Sequence, residues 1–244
     1  MDKLTVANSS SLAVVTFCPP ASMSLEEETM AAFEGHDGRS QANTLDEAEQ
    51  LPRASVLVPL FVRSGKMHTL MTRRSAQLRT SAGEVCFPGG KRDPSDKDEV
   101  HTALREAHEE IGLLPGDVHV ICTLRPVIAK NALLVTPVVG FIPEWFQARP
   151  NPAEVSAVLA VPLDLFVGPA AAEVTSAPSL SFDFVEPDTG ARYRIWGLTA
   201  VLASMVAVVA LKTKAEGYAA FNAQDLMCSL RQRLRRRMRT LSKL

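Results

Sequence analysis

Cysteine is scarce, aromatic residues are few, and neither sign of charge dominates. The 244 residues include four cysteines and 6% aromatic side chains, with a formal net charge of -1. Cys18, Cys86, Cys122 and Cys228 are scattered without metal-ligand spacing and are too few for a disulfide scaffold, so a reducing compartment is expected. A net charge this small excludes a global field built for nucleic acid or an anionic membrane surface. Long hydrophobic runs are lacking as well. The apolar stretch near the start, "SLAVVTFCPP", has only Lys3 ahead of it and two prolines behind, which is not the pattern of a signal peptide. "IWGLTAVLASMVAVVAL", Ile195 to Leu211, is 17 residues without charge. It falls short of the roughly 20 residues that span a bilayer and reads as a buried core helix.

What is present is enough apolar sequence, 46% of the chain, for one globular domain of generous size with extensions. The charge is unevenly spread. Residues 25–50 hold eight acids against one arginine, and Arg231 to Arg239 holds six arginines and no acid. The expected organisation is a variable, poorly ordered extension over 1–50, a folded domain over 51–225 and a basic helix or tail over 226–244. "ASVLVPLFV" (54–62) and "MHTLMTR" (67–73), joined by "RSGK", read as a hairpin. "EVCF" (84–87) reads as a short strand. "HVICTLRPVI" with "LVTPVVGFIP", and "SLSFDFVE" with "ARYRIW", read as two further strand pairs. Helices are expected at about 98–112, 198–214 and 222–238. Strand pairs with interspersed helices imply an α/β class with a mixed sheet covered by helices.

The chemistry concentrates in "GEVCFPGGKRDPSDKDEVHTALREAHEEIGL", Gly83 to Leu113. Val100, Ala103, Leu104, Ala107 and Ile111 recur at three- and four-residue steps, one buried helical stripe, and Gly112 is a natural stop. Glu106 and Glu110 are four apart and Glu106 and Glu109 three apart, so three carboxylates crowd one side of that helix. Like charges at such spacing repel, and a multivalent cation removes the conflict. Hard oxygen ligands suit Mg²⁺ or Mn²⁺. The alternative is a solvated, ion-paired helix face. Upstream, Phe87-Pro88 ends a strand, and Gly89-Gly90 lets the backbone turn and approach a ligand closely. Arg105, four residues before Glu109, is placed to brace it.

Gly90 through Leu113 resembles the Nudix box, G-x5-E-x7-R-E-U-x-E-E-x-G-U, with "REAHEEIGL" matching its second half and Ala107 as a small U. The first half departs: Asp96 stands for the first Glu, and eight residues rather than seven separate it from Arg105. That acid either shifts outward or caps the helix. "LMTRRSAQLRTSAGEVCFPGG", Leu70 to Gly90, resembles the coenzyme A subgroup signature of Nudix hydrolases, L-L-T-x-R-[SA]-x3-R-x3-G-x3-F-P-G-G, with Met71 for Leu as the departure. The resemblance implies a Nudix fold, an α/β/α sandwich with a mixed sheet. It further implies metal-dependent hydrolysis of the diphosphate of coenzyme A and acyl-CoA esters. Glu106, Glu109 and Glu110 would be metal ligands, and Glu106, Glu109, Arg105 and Glu154 catalytic candidates, Glu154 as an extra ligand or base from the "NPAEVSAVLAVPL" segment. Arg73, Arg74, Arg79, Gly89 and Gly90 would bind substrate, since guanidinium grips phosphate bidentately. The alternatives are a Nudix enzyme for another diphosphate (a dinucleotide, ADP-ribose or capped RNA), a coenzyme A-binding module of little activity, and a protein anchored in a membrane by residues 195–211.

The chain ends in Ser242-Lys243-Leu244, the tripeptide read by the peroxisomal import receptor. A coenzyme A signature and a peroxisomal address are mutually consistent. The receptor and a small-molecule substrate are the expected partners, with no stable nucleic-acid or membrane partner. The arginine run before the tripeptide lacks the interleaved aromatics of a nucleic-acid platform.

Overall fold

The computed structural model describes residues 23–37, 51–129, 132–168 and 180–212. The helix expected at 222–238, the arginine run and the terminal tripeptide lie outside the described residues.

The first hairpin follows from its turn. Ser64 (φ 51°) and Gly65 (φ 71°) both take the left-handed region, as a two-residue type I′ turn requires, and they join β1 (Arg53–Arg63) to β2 (Lys66–Arg74). These strands pair only over 60–63 and 66–69 before they splay. Into the gap, away from the turn, come β3 (Val85–Cys86), paired with the last residues of β2, and β4 (Gly89–Lys91), paired with the first residues of β1. β7 (Leu134–Phe141) lies parallel to β1 on its other side, with β5 (His119–Thr123) and β6 (Val127–Ile128) antiparallel to it. β8 (Val155–Pro162) extends the sheet beyond β2. The result is a mixed eight-stranded sheet, and β9 (Ser181–Val185) with β10 (Arg192–Trp196) forms a separate two-stranded hairpin.

Alternation along β1 divides the core. Leu57 and Phe61 face α2 (Glu99–Ile111), where Ala103, Ala107 and Ile111 complete one apolar cluster. Val58 and Leu60 face the other way and join a larger cluster with Leu202, Ala203 and Val206 of α3 (Gly197–Ala210) and Phe33 of α1 (Leu25–Phe33). Helices therefore cover both faces: the α/β/α sandwich with a mixed sheet that the sequence implied. The apolar run at 195–211 is largely α3 and packs in this core; no helix among the described residues is long and apolar enough to cross a membrane.

Several elements depart from the expectation: Gly89–Lys91, read as a turn, pairs with β1 as β4, and the strand expected over 119–128 is broken into β5 and β6. Residues 25–33, read from the sequence as part of a poorly ordered extension, form a helix. Its start is fixed by a capping box: the Glu27 amide donates to Ser24 Oγ at 3.2 Å, and the Ser24 amide donates to Glu27 Oε2 at 2.8 Å. Phe33 anchors it, fully buried. The segment 151–163 carried no strand assignment, yet it supplies β8, stabilised by pairing with β2 rather than by its own pattern. Replacing Phe33 with Ala is expected to cost about 3–5 kcal/mol in urea unfolding through the cavity it leaves. A cost below 1 kcal/mol would mean that α1 does not dock as described.

Candidate active site

The site begins where β3 gives way to β4. Gly89 and Gly90 occupy positions that admit no side chain: a Cβ on Gly89 would collide with the Ser55 carbonyl oxygen and with Val56, and one on Gly90 with the Glu106 carboxylate. The Pro88 carbonyl accepts from the Leu57 amide at 2.8 Å, which seats the turn against β1. Glycine here permits close approach of two chain segments rather than flexibility.

α2 is set beside that turn by its own sequence. Asp98 caps its start, Oδ1 accepting from the His101 amide at 2.7 Å. Gly112 (φ 71°) ends it and donates to the His108 carbonyl at 2.9 Å. The last carbonyls are capped by an incoming loop: the Arg149 amide donates to the Ile111 carbonyl and the Asn151 amide to the Glu110 carbonyl, both at 2.8 Å. The same loop is tied on its far side, where the Ser75 amide donates to the Glu154 carbonyl at 2.7 Å. Glu154 is thereby held between the end of α2 and the end of β2.

Arg105 organises the helix face. Its Nε and Nη2 donate to the two oxygens of Asp96, each at 2.9 Å, and Nη2 also reaches the Lys91 carbonyl at 3.1 Å. Nη1 donates to Glu109 Oε2 at 3.1 Å, and Nη2 lies 3.0 Å from Glu106 Oε1. Asp96 has no exposed side-chain surface and accepts in addition from the Asp93 amide, with His101 Nδ1 2.9 Å away. The Arg105 guanidinium holds the Asp96 carboxyl far below the usual carboxylate range, overcoming burial. The acid that departs from the box pattern thus neither shifts outward nor caps the helix. It is the buried anchor of Arg105, a role that sequence spacing did not disclose.

The three glutamates occupy different environments. Glu106 packs on Gly90, and burial raises its pKa against the opposing pull of Arg105. Glu110 is 3% exposed, accepts a 3.3 Å hydrogen bond from the Gly89 amide, and is pushed up to about 7 chiefly by burial. Arg74 favours its charged form while Glu106 and Glu154 oppose it. Glu109 is half exposed and drawn to Arg105. Glu106 and Glu110 therefore meet at the glycine turn, Glu154 bears on both, and Glu109, paired with Arg105, repels Glu106 from the exposed side. Among the described residues no three carboxylate, imidazole or thiolate groups converge closely enough to hold a metal ion as they stand. The donor set still fits a hard divalent cation. Two largely desolvated carboxylates, pressed on a backbone without side chains and only partly offset by Arg105 at Glu106 and Arg74 near Glu110, are hard oxygen donors of the kind such a cation takes.

Of the arginines expected at substrate, Arg74 turns inward toward Glu110 and Cys86, and its Nε is buried without a hydrogen-bond partner. Arg73 is exposed and donates from Nε to the Gly83 carbonyl at 3.3 Å, and Arg79 lies exposed on the turn between β2 and β3. Cys86, not singled out from the sequence, sits beside this group with its Sγ 3.4 Å from Thr72 Oγ1 and its thiol pKa raised by burial.

Two expectations follow. Asp96→Ala removes the bidentate partner of Arg105 and should cost about 3 kcal/mol in chemical denaturation; a neutral substitution would refute the anchor role. For the metal-free protein, Glu110 has a folded-state pKa near 7 against 4.5 ordinarily, so folding favours its protonated form. That stabilisation is whole below about pH 4.5 and is lost as pH rises through 7, a contribution on the order of 3 kcal/mol. The metal-free melting temperature should therefore fall between pH 5 and pH 8, less so in Glu110→Gln. Mg²⁺ or Mn²⁺ should restore it in the parent protein only. Parallel curves for the two proteins would contradict this.

The NUDIX domain model matches residues 51–178, which include the glycine turn, α2 and Glu154. A peroxisomal coenzyme A diphosphatase of Mus musculus is 46% identical over 182 residues, covering 72% of this chain and 77% of that one. Nudix hydrolase 22 (chloroplastic) of Arabidopsis thaliana is 37% identical over 213 residues, 78% of this chain and 68% of that one. Nudix hydrolase 15 (mitochondrial) of the same plant is 40% identical over 158 residues, 61% and 55% respectively. A domain match over more than half the chain, centred on buried acids at a glycine turn, identifies the chain as a member of the Nudix family of hydrolases.

Proposed function

We propose that this Nudix hydrolase cleaves the diphosphate of coenzyme A and acyl-CoA esters, releasing 3',5'-ADP and 4'-phosphopantetheine or its acyl form. The observation that carries the reading is the pairing of Glu106 and Glu110 on the Gly89–Gly90 turn with the Arg74 guanidinium directed at the same point. Support for coenzyme A comes from the subgroup signature over 70–90 and from the 46% identity to the mouse diphosphatase. Glu106 and Glu110, joined by Glu109 once it leaves Arg105, would hold Mg²⁺ or Mn²⁺. Such a cation supplies neutralisation of the diphosphate oxygens and acidification of water.

The remaining work falls to the chain itself. Water attacks one phosphorus, the bridging P–O bond breaks, and no serine or cysteine nucleophile is needed. Arg74 offers a preformed positive charge to the diphosphate from a site where burial strengthens it. The glycine pair lets β1 and the Glu106 carboxylate pack directly on the turn, which sets the acids at the reacting point. Glu154, partly buried and fixed by the loop hydrogen bonds, is assigned as acceptor of the water proton. Arg105 acts by positioning, fixing the direction of Glu106. Arg73, Arg79 and the backbone around Gly83 line the approach. Residues 51–225 are assigned to the hydrolase domain, with α1 an accessory helix from the 1–50 extension and 226–244 a basic tail. The terminal Ser242-Lys243-Leu244 supports peroxisomal import through its receptor.

Incubation with coenzyme A and Mg²⁺ should yield 3',5'-ADP and 4'-phosphopantetheine by mass spectrometry, faster than ADP-ribose, NADH or capped RNA is cleaved in parallel. Faster turnover of any of those three overturns the substrate assignment. Glu106→Gln and Glu110→Gln should each lower kcat by about 100-fold or more while remaining folded. Chelation should stop turnover reversibly. Wild-type rates in either variant at saturating Mg²⁺ would remove these residues from the site.

A further inference from the structure

A second cleft, of about 250 Å³, opens between the turn that enters β3 and the β9–β10 hairpin. Its charged groups are Arg73, Arg192, Arg194 and a single acid, Glu84, and its walls include Tyr193 and Trp196. The hairpin lies beyond residues 51–178, so the family match does not reach Arg192, Arg194 or Trp196.

The arrangement follows from strand geometry. Alternate residues of a strand share a face, so Arg192, Arg194 and Trp196 project together, all exposed, while Ile195 between them is buried in the core. Arg194 reaches Ser181 Oγ at 3.5 Å, and its register partner across the hairpin is Asp183, which leaves the exposed face with more positive than negative charge. From the opposite wall, Arg73 is steadied by its 3.3 Å hydrogen bond to the Gly83 carbonyl. Arg73 and Arg74 are neighbours on β2, and the register shifts between them. One guanidinium enters the hairpin cleft and the next turns toward Glu110. The two places are linked by β3: Val85, in the cleft wall, is four residues from Gly89 at the carboxylate site, at most about 14 Å along the chain.

We propose that this cleft binds the nucleotide end of the substrate, with the guanidiniums of Arg73, Arg192 and Arg194 holding a phosphomonoester on the ribose and Trp196 stacking on the purine. Three guanidiniums against Glu84 in the cleft and Asp183 beside Arg194 leave a net positive charge suited to a phosphate dianion, which guanidinium meets with paired donors. An exposed indole beside arginines suits a flat heterocycle through stacking. The proposal rests on the coenzyme A reading, since coenzyme A carries a 3'-phosphate that ADP-ribose and NADH lack. It adds Arg192, Arg194 and Trp196 to recognition and makes the hairpin the element that selects a phosphorylated ribose.

The deciding measurement is calorimetric titration of the full chain with adenosine 3',5'-bisphosphate and, separately, with AMP, which lacks the 3'-phosphate. The parent protein should bind the bisphosphate at least about 10-fold tighter than AMP, and Arg192→Gln/Arg194→Gln should lose that preference, as expected for charge-assisted hydrogen bonds. Arg192→Lys/Arg194→Lys, which keeps the charge without the paired donors, should fall between and guards against loss of fold. Equal affinity of parent and Gln variant for the bisphosphate overturns the proposal. Kinetics separate it from the reading beneath it. If the parent protein fails to cleave coenzyme A, the reading fails, and the titration still decides the cleft. If the parent cleaves coenzyme A but the Gln variant keeps the parent ratio of kcat/KM for coenzyme A over 3'-dephospho-coenzyme A, the cleft proposal alone fails. An approximately 10-fold drop in that ratio supports it.

Discussion

The bidentate pair between Arg105 and Asp96 is the constraint around which the site is assembled. Asp96 is enclosed by the chain that leaves β4, and Arg105 extends from the second turn of α2, so one ion pair fixes the helix to the segment that precedes it. Burial of a carboxylate is costly unless every oxygen is satisfied, and here both oxygens face a guanidinium with an amide and an imidazole completing the shell. The remaining guanidinium donors reach Glu109, Glu106 and the Lys91 carbonyl. A single side chain thus sets the height, rotation and charge balance of the acidic face.

The glutamates show the opposite economy. Glu106 and Glu110 are pressed together near a backbone with no side chains, and burial and mutual repulsion both disfavour their ionisation. An isolated fold gains nothing from this arrangement. The conflict becomes useful when a ligand brings positive charge, because interactions in a partly desolvated site are stronger than in water. Satisfied and unsatisfied charge are divided between residues of one helix: Arg105 satisfies Asp96, while burial disfavours the charged forms of Glu106 and Glu110.

The splay of β1 and β2 makes room for this division. Had the two strands paired along their full length, β3 and β4 would have no edge to occupy and the glycine turn no seat beside α2. The same opening brings β3 against the β9–β10 hairpin, so the strand that ends at the carboxylates begins at a basic, aromatic cleft. Of the consecutive arginines at the end of β2, Arg73 lines the cleft and Arg74 lies near Glu110.

Much of this was legible in the residues. The three-and-four spacing of Val100, Ala103, Leu104, Ala107 and Ile111 specified α2 and its buried stripe, Gly112 its end, and "RSGK" the first hairpin, because these depend on local periodicity and turn chemistry alone. The Ser24–Glu27 capping box was a readable signal of α1 that acidic composition obscured. Motif spacing brought Glu106 and Glu110 together near Gly89 and Gly90. Tertiary structure alone decided that Asp96 is the buried partner of Arg105, that Glu109 shares that arginine, that Glu154 arrives on a loop bonded to the end of α2, and that Arg192 and Arg194 face Arg73. Each depends on contacts between segments distant in sequence or on competition for one donor. A pattern of residues states which groups are available; only the packed chain determines which pairings their burial allows.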